Sequence, residues 1–191
     1  MSDDRQLLAG IAGRDPEAFQ TLMERYAGPV TNLALRLLES RPDAEEAAQE
    51  VFLRLYQNPP RLHPEVKLFT WLYRVTVNRC LDLLRRRSRA PQPVSLDAPA
   101  GPAEEEPLVE RLPQPAGDNP REQLARLELA AVTRRAVAAL PEALRVPLVL
   151  STFEELSHDA IAEILGLSPK AVERRLSRAR ELLKTRLRPY L

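Results

Sequence analysis

The chain has few of the residue types that several kinds of functional site require. It contains one cysteine, Cys80, which excludes an internal disulfide and a cysteine-based zinc finger. Its two histidines, His63 and His158, leave little for a metal site, and its six glycines form no glycine-rich phosphate loop. No apolar run approaches the roughly 20 residues that span a bilayer, and residues 1–5 lack the basic start of a signal peptide. We therefore expect a cytoplasmic protein without a cofactor or a metal, and these absences also argue against an enzyme.

The charged residues, by contrast, are abundant and fall into three blocks. Residues 1–90 carry 14 basic and 12 acidic side chains, and residues 121–191 carry 13 and 9, whereas residues 91–120 carry one basic and six acidic. The middle block also holds eight of the 18 prolines, which interrupt helices. A stretch of this length is too long for most loops within a compact fold. The sequence therefore predicts a domain at 1–90, a flexible acidic Pro-rich linker at 91–120, and a second domain at 121–191.

Both flanking segments have the composition and periodicity of helices. They are rich in Leu, Ala, Arg and Glu, and neither shows sustained alternation of apolar and polar residues. Capping residues and prolines predict helix starts at Asp15-Pro16, Pro42, Pro141, Ser157 and Ser168-Pro169. The pair Pro59-Pro60 predicts the end of one helix, and a further helix is expected from about Glu65 to Arg87. The predicted fold class is all-α, with two small helical domains.

The C-terminal segment carries the pattern of a helix-turn-helix. Ala162 is small enough for two helices to cross closely, Gly166 permits a tight turn, and Val172 packs the second helix back onto the first. The outer face of that second helix is basic, which is typical of a major-groove DNA reader; a solvated charged face is the alternative. We expect base edges to be contacted by Lys170, Glu173, Arg174, Arg178 and Ala171. Arg175 and Arg180 are expected to contact phosphates or to pair with acidic neighbours in the domain.

Two stretches of the first domain also suggest binding. One helix has an acidic face beside Phe52 and Leu53, which suits a basic partner helix, although a charge run is more often a solvated face and both apolar residues could be core. The second stretch, 67–89, interleaves seven basic residues with aromatic ones, a combination that suits unstacked single-stranded bases. For Trp71 in that stretch, a place in the core is the competing interpretation.

Three motifs in this order resemble those of bacterial sigma factors. Residues 43–56 resemble their core-polymerase-binding helix, residues 69–87 resemble their −10-recognising and melting helix, and residues 160–180 resemble their −35-reading helix-turn-helix. Two such domains and one linker, with nothing more, resemble the extracytoplasmic-function subgroup of the sigma-70 family.

The resemblance implies a partner for each surface. Core RNA polymerase would bind Asp43, Glu46, Gln49, Glu50, Phe52 and Leu53. The single-stranded −10 element would bind Trp71, Arg74, Asn78, Arg79, Arg85 and Arg86. Duplex −35 promoter DNA would bind the recognition-helix residues assigned above. An anti-sigma factor is a further partner, because many relatives have one.

Two other classes of function compete with this interpretation. A free-standing helix-turn-helix activator or repressor would bind duplex DNA without polymerase, usually as a dimer. An enzyme is suggested only by the adjacent Ser157, His158 and Asp159, but neighbours along a helix point in different directions and cannot form a proton relay. Ser157 is predicted to be a helix cap.

Overall fold

A computed structural model of the chain describes residues 4–60, 67–89 and 120–190. These ranges contain helices and no strand, as the sequence predicted. The helices are α1 (Asp4–Ala12), α2 (Pro16–Leu38), α3 (Arg41–Gln57), α4 (Leu68–Arg89), α5 (Pro120–Ala138), α6 (Glu142–Thr152), α7 (His158–Leu165) and α8 (Pro169–Leu187), followed by a short 3-10 helix, Arg188–Tyr190. The predicted linker, apart from Pro120, lies outside the described residues. No helix within them is long and apolar enough to cross a membrane.

The predicted caps position α2, α7 and α8. Asp15 accepts a hydrogen bond from the Glu17 backbone N–H at 2.9 Å. Ser157 and Ser168 accept from the N–H groups of Ala160 and Ala171, each at 3.2 Å. Each cap satisfies a backbone donor that a helix N-terminus would otherwise leave open. These three predicted helix starts are confirmed.

Helix α1 was not predicted, although it contributes to the core of the first half. Leu7, Leu8 and Ile11 are buried, and they pack in one cluster with residues of α2, α3 and the start of α4. Leu22 of α2 and Leu55 of α3 are fully enclosed in that cluster. The spacing of Leu7, Leu8 and Ile11 is helical, so the sequence held a signal for this helix.

A second core cluster joins the two halves of the chain. It contains Leu33 and Leu37 of α2 and Val77 of α4, together with residues of α6, α7 and α8. Ile161 of α7 and Leu176 of α8 are fully buried in it. The two predicted domains therefore contact each other within the described ranges, because the end of α2 and the middle of α4 pack against the helix-turn-helix half.

Candidate DNA-reading and partner-binding surfaces

The helix-turn-helix has the geometry that the sequence predicted. Gly166 ends α7 with φ +64°, a left-handed conformation that glycine adopts without steric cost. Val172 and Leu176 of α8 are buried on the side facing α7, and Ala162 is buried on the facing helix. The packing of α8 is thus complete on one side, which leaves its other side to solvent.

The exposed side of α8 carries most of the predicted base-reading residues. Lys170, Glu173, Arg174 and Arg178 are all exposed and lie on successive turns. Arg178 also forms an ion pair with Glu181 at 2.6 Å, with both side chains largely exposed. Such an exposed pair contributes little free energy, so it does not hold Arg178 away from a DNA ligand.

The three remaining −35 residues occupy different positions. Arg180 is exposed. Ala171 is half-buried, and its backbone N–H donates to the Ser168 cap. Arg175 is half-buried and lines a cavity of about 480 Å³ between α4 and the helices α6 and α7.

That cavity brings part of the predicted −10 set next to the helix-turn-helix. Arg74, Asn78 and Arg85 of α4 line one wall, and Val146 and Ile164 line the opposite side. The edge of α4 that was predicted to face single-stranded DNA thus faces the other half of the chain. The other three residues lie elsewhere: Arg86 is exposed, Trp71 is half-buried against the first core cluster, and Arg79 faces α3. The competing interpretation of Trp71 as a packing residue agrees with that position.

Polar contacts hold this edge of α4 against the second half. Arg74 donates through Nε to the Ile164 carbonyl at 3.2 Å and through Nη2 to the Glu163 carbonyl, at the C-terminal end of α7. A guanidinium is favourable there, because the last carbonyls of a helix carry partial negative charge. Arg85 lies 3.5 Å from Glu142 of α6.

Glu154, in the loop after α6, makes the most buried of these cross-contacts. Its carboxylate accepts a hydrogen bond from the Tyr73 hydroxyl at 2.6 Å and lies 3.7 Å from Arg36 of α2. Burial and the Glu154 carboxylate together raise the pKa of Tyr73 above its usual range. Arg36 also stacks on the ring of Phe153, 4.6 Å from its centroid. Sequence reasoning missed Glu154 and Arg36, which have no local pattern that predicts a contact.

Opposite charges also meet at this boundary, where Glu39 is exposed at its outer edge and Arg145 lies inside. Partial burial raises the pKa of Glu39, while Arg145 and Arg134 of the second half oppose that rise. Arg145 is itself buried and donates to the Ala138 carbonyl at 3.1 Å. Opposite charges therefore face each other where the two halves meet.

The predicted polymerase-binding helix, α3, splits its residues between surface and core. Leu53 is 54% exposed, whereas Phe52 is only 4% exposed and belongs to the first core cluster. Phe52 therefore offers no surface to a partner, because one residue step turns a helix by about 100° and puts it on the inner side. We define the α3 stripe as the four exposed residues of the predicted set, Glu46, Gln49, Glu50 and Leu53.

Ion pairs tie α3 to α4 alongside this stripe. Arg79 of α4 donates through Nη2 to Glu50 at 2.6 Å and to Glu46 at 3.3 Å. Arg87 forms a second pair with Asp43, which is half-buried. Arg79 thus faces α3 and not the cavity that Arg74 and Asn78 line. Arg79 was predicted to lie with those two residues, but its position five residues after Arg74 places it on a different side of the helix.

The described residues offer little for redox or metal chemistry. Cys80 is fully buried, and burial raises the pKa of its thiol to about 12, so it remains protonated and inert near neutral pH. Within the three described ranges, no cluster of three His, Cys, Asp or Glu side chains could hold a metal ion.

Comparisons with known proteins define the class to which these surfaces belong. The family model described as sigma-70 region 2 matches residues 22–90, and the model described as sigma-70, region 4 matches residues 131–183. The first match covers α3 and α4, and the second covers the helix-turn-helix.

Curated relatives match along almost their whole length. The chain is 30% identical to the RNA polymerase sigma-H factor of Pseudomonas aeruginosa over 98% of this chain and 95% of that protein. It is 30% identical to the ECF RNA polymerase sigma-E factor of Haemophilus influenzae, over 98% and 97%. It is 31% identical to the ECF RNA polymerase sigma factor SigW of Bacillus subtilis, over 91% of each.

Solved structures share the fold of both halves. CnrH, determined in complex with the cytosolic domain of CnrY, matches with a TM-score of 0.67 and 26% identity over 98% of this chain and 99% of that one. RpoE from Bartonella quintana matches in fold with a TM-score of 0.62 at 19% identity, over 89% and 96%. The chain belongs to the extracytoplasmic-function group of the sigma-70 family. It is a transcription initiation factor that directs RNA polymerase to promoters, and a free-standing activator or repressor is not supported.

Proposed function

We propose that three separate surfaces of the chain carry its function as an initiation factor. The α3 stripe binds core RNA polymerase, α4 binds the −10 strand through Arg74, Asn78 and Arg85, and α8 reads the −35 duplex. The observation that carries this proposal is the exposed side of α8, where Lys170, Glu173, Arg174 and Arg178 project from a helix whose other side is fully packed. Arginine can bond guanine through two donors, and Glu can accept from the cytosine amino group.

The described arrangement corresponds to the chain before it engages polymerase. The α8 residues are accessible in it, but Asn78 lines the cavity between the halves and Arg74 is bonded to the end of α7. Arg74, Asn78 and Arg85 are exposed on this edge, so a DNA strand that engages it competes with the end of α7 for the Arg74 guanidinium. Core polymerase activates the chain by binding the two halves apart from each other, which frees Arg74 and spaces the −10 edge from α8.

The remaining parts of the proposal concern the chain as a whole. Its domains are 1–90 and 121–191, and the acidic linker between them occupies a basic nucleic-acid path of polymerase until RNA displaces it. Polymerase supplies all the chemistry, so the chain has no catalytic residues. The chain acts in the cytoplasm, where the promoter DNA is. An anti-sigma factor is a further partner, in keeping with CnrH, which was determined in complex with the cytosolic domain of CnrY.

Reconstitution with core RNA polymerase tests the proposal. The purified chain is mixed with core enzyme and a pool of genomic fragments from its source, and the 5′ ends of the transcripts are mapped. We expect starts at a set of sites that share a −35 and a −10 sequence, and none with core enzyme alone.

Two variants separate the surfaces within that experiment. Leu53→Ala on the α3 stripe should reduce co-purification with core enzyme, whereas Arg174→Ala should leave it unchanged and reduce transcription from the selected promoters. Lys184→Ala, which removes an exposed charge from the last turn of α8, serves as the matched control. If core enzyme did not bind the unmodified chain, the proposal would be wrong.

A further inference from the structure

The two glutamates of the α3 stripe do not stand alone on the surface. Side-chain exposure is 60% for Glu46 and 47% for Glu50, so both carboxylates are open to a partner. Both nevertheless accept a hydrogen bond from one guanidinium, that of Arg79 on the neighbouring helix. Glu46 and Glu50 lie one turn apart, and Arg79 bonds them together from one side.

Arg79 itself is largely enclosed. Its side chain is 16% exposed, although both carboxylates that it contacts are open to solvent. The Nη2–Oε1 distance to Glu50, 2.6 Å, is that of a strong charge-assisted hydrogen bond. Arg79 faces α3, whereas Asn78 and Arg74 line the cavity on another side of α4.

We infer that Arg79 is a positioning residue for polymerase binding: it fixes the carboxylates of Glu46 and Glu50 in the orientation in which a basic helix of the partner meets them. Glutamate side chains otherwise lose considerable rotamer freedom when a partner orders them. A residue that orders them beforehand lowers that cost of association. This inference rests on the proposal that the α3 stripe binds core polymerase.

The planar shape of the arginine side chain matters to this role. Its fork can bond two acceptors at once, whereas the lysine ammonium is a single mobile point charge. Arg79→Lys should therefore keep the charge between α3 and α4 and lose the orientation. Arg79→Gln loses both.

A double-mutant cycle with core polymerase tests the inference in the full chain. Affinity for core enzyme is measured with a fluorescently labelled chain for Arg79→Gln, Arg79→Lys, Glu50→Gln and the Arg79→Gln/Glu50→Gln pair. If Arg79 acts through Glu50, Arg79→Gln weakens binding about tenfold alone, but by less than about twofold when Glu50 is already replaced. Arg79→Lys should fall between Arg79→Gln and the unmodified chain, and it supplies the same test if the glutamine variant does not fold.

A second readout distinguishes positioning from DNA contact. At polymerase concentrations that saturate every variant, the preference among single-stranded −10 oligonucleotides should be unchanged by Arg79→Gln and altered by Asn78→Ala. The control is Arg41→Gln. It removes the Arg41–Glu45 pair, another arginine–glutamate pair of α3, and leaves the α3 stripe intact. That variant should bind core enzyme like the unmodified chain.

Each opposite result overturns the inference. Additive losses in the cycle would show that Arg79 acts independently of Glu50, and a changed −10 preference in the Arg79 variants would assign Arg79 to DNA. Tighter binding by Arg79→Gln would show that Arg79 competes with polymerase for the carboxylates. If Glu50→Gln and Leu53→Ala both bound core enzyme normally, the failure would instead lie with the proposed function of the α3 stripe.

Discussion

The Tyr73 hydroxyl donates a 2.6 Å hydrogen bond to Oε2 of Glu154, and this bond connects α4 to the loop that follows α6. Tyr73 is only 2% exposed, so the bond lies inside the contact between the two halves of the chain. The same carboxylate lies beside Arg36 of α2. Glu154 therefore joins the helix-turn-helix half to both helices of the first half that it covers.

Removing this bond should loosen the arrangement in which the two halves pack against each other, which we call the closed chain. Tyr73→Phe keeps the buried ring and loses the donor, and a hydrogen bond to a charged group contributes about 1.5–3 kcal/mol. We expect the population of open molecules to rise by about tenfold or more, since 1.4 kcal/mol changes an equilibrium tenfold. The distance between dyes on α1 and α8 in the polymerase-free chain measures that opening.

The neighbouring carboxylate supplies the control for this prediction. Glu155→Gln removes an exposed acidic group next to Glu154, and it should leave the dye distance unchanged. Glu154→Gln should behave like Tyr73→Phe or open the chain further, because it also loses the charge facing Arg36. If all three variants kept the dye distance of the unmodified chain, the Tyr73–Glu154 bond would not hold the halves together.

The recognition helix predicts a separable effect on promoter sequence. If Arg174 or Arg178 bonds a base, its replacement by Ala should cost about 1–3 kcal/mol of binding and relax the preference at one position of the −35 element. Polymerase carrying each variant is assayed against a library of −35 sequences. A uniform loss across the library would mark a phosphate contact, and no loss would remove that arginine from the interface.

Adjacent residues of α3 should respond in opposite ways to truncation. Phe52→Ala empties a buried site and should lower the free energy of unfolding by about 3–5 kcal/mol. Leu53→Ala should leave the melting midpoint nearly unchanged and weaken core-polymerase binding, because its side chain is mostly exposed. Thermal melting and co-purification with core enzyme measure the two effects. A drop of several degrees for Leu53→Ala would make that residue structural.

The turn glycine gives a prediction for stability. Gly166 has a positive φ, so Gly166→Ala should destabilise the chain by about 1 kcal/mol. Urea unfolding of this variant beside the unmodified chain measures the change. An unchanged or increased free energy of unfolding would contradict the assigned turn geometry.

Stability should fall at acidic pH partly through Asp43. Hydrogen bonds from Ser40 and Arg87 hold the pKa of Asp43 below its usual value. Because the folded pKa is lower than the unfolded one, the contribution is present above the unfolded pKa, about 3.9, and is lost as pH falls through the folded pKa. The stability difference between the unmodified chain and Asp43→Asn should therefore shrink below about pH 4. If the difference in stability between the two chains did not depend on pH, the Asp43–Arg87 pair would not be a source of the acid sensitivity.

Local sequence signals predicted the helix-turn-helix well because its determinants are short-range. Ser157, Gly166 and Ser168 act within a few residues of their own positions, and all three have the predicted geometry. The buried stripe of α8 follows equally from its periodicity. For a single side chain, one residue step along a helix is enough to change its face, and Phe52 and Arg79 lie on faces different from those of the groups in which the sequence placed them.

The contact between the halves had no comparable signal. Tyr73 and Glu154 are far apart in the sequence, and neither stands in a pattern that specifies a partner. A charged residue in a loop is usually solvated, and only the packing of α4 against α6 and α7 gives Glu154 its neighbours. The sequence therefore predicted a −10-binding edge for α4 and gave no sign that the other half of the chain packs beside that edge.

Binding to one selected promoter, measured with and without core RNA polymerase, tests directly whether polymerase must engage the chain before it reads both elements. A duplex carrying the −35 and −10 sequences found by transcript mapping is titrated at physiological salt with the chain alone and with the reconstituted enzyme. We expect specific binding and opening of the −10 region only with polymerase, because in the polymerase-free chain Arg74 is bonded to the end of α7 and the −10 edge lies directly beside the helix-turn-helix half. Tight, sequence-specific binding of both elements by the chain alone would contradict this expectation.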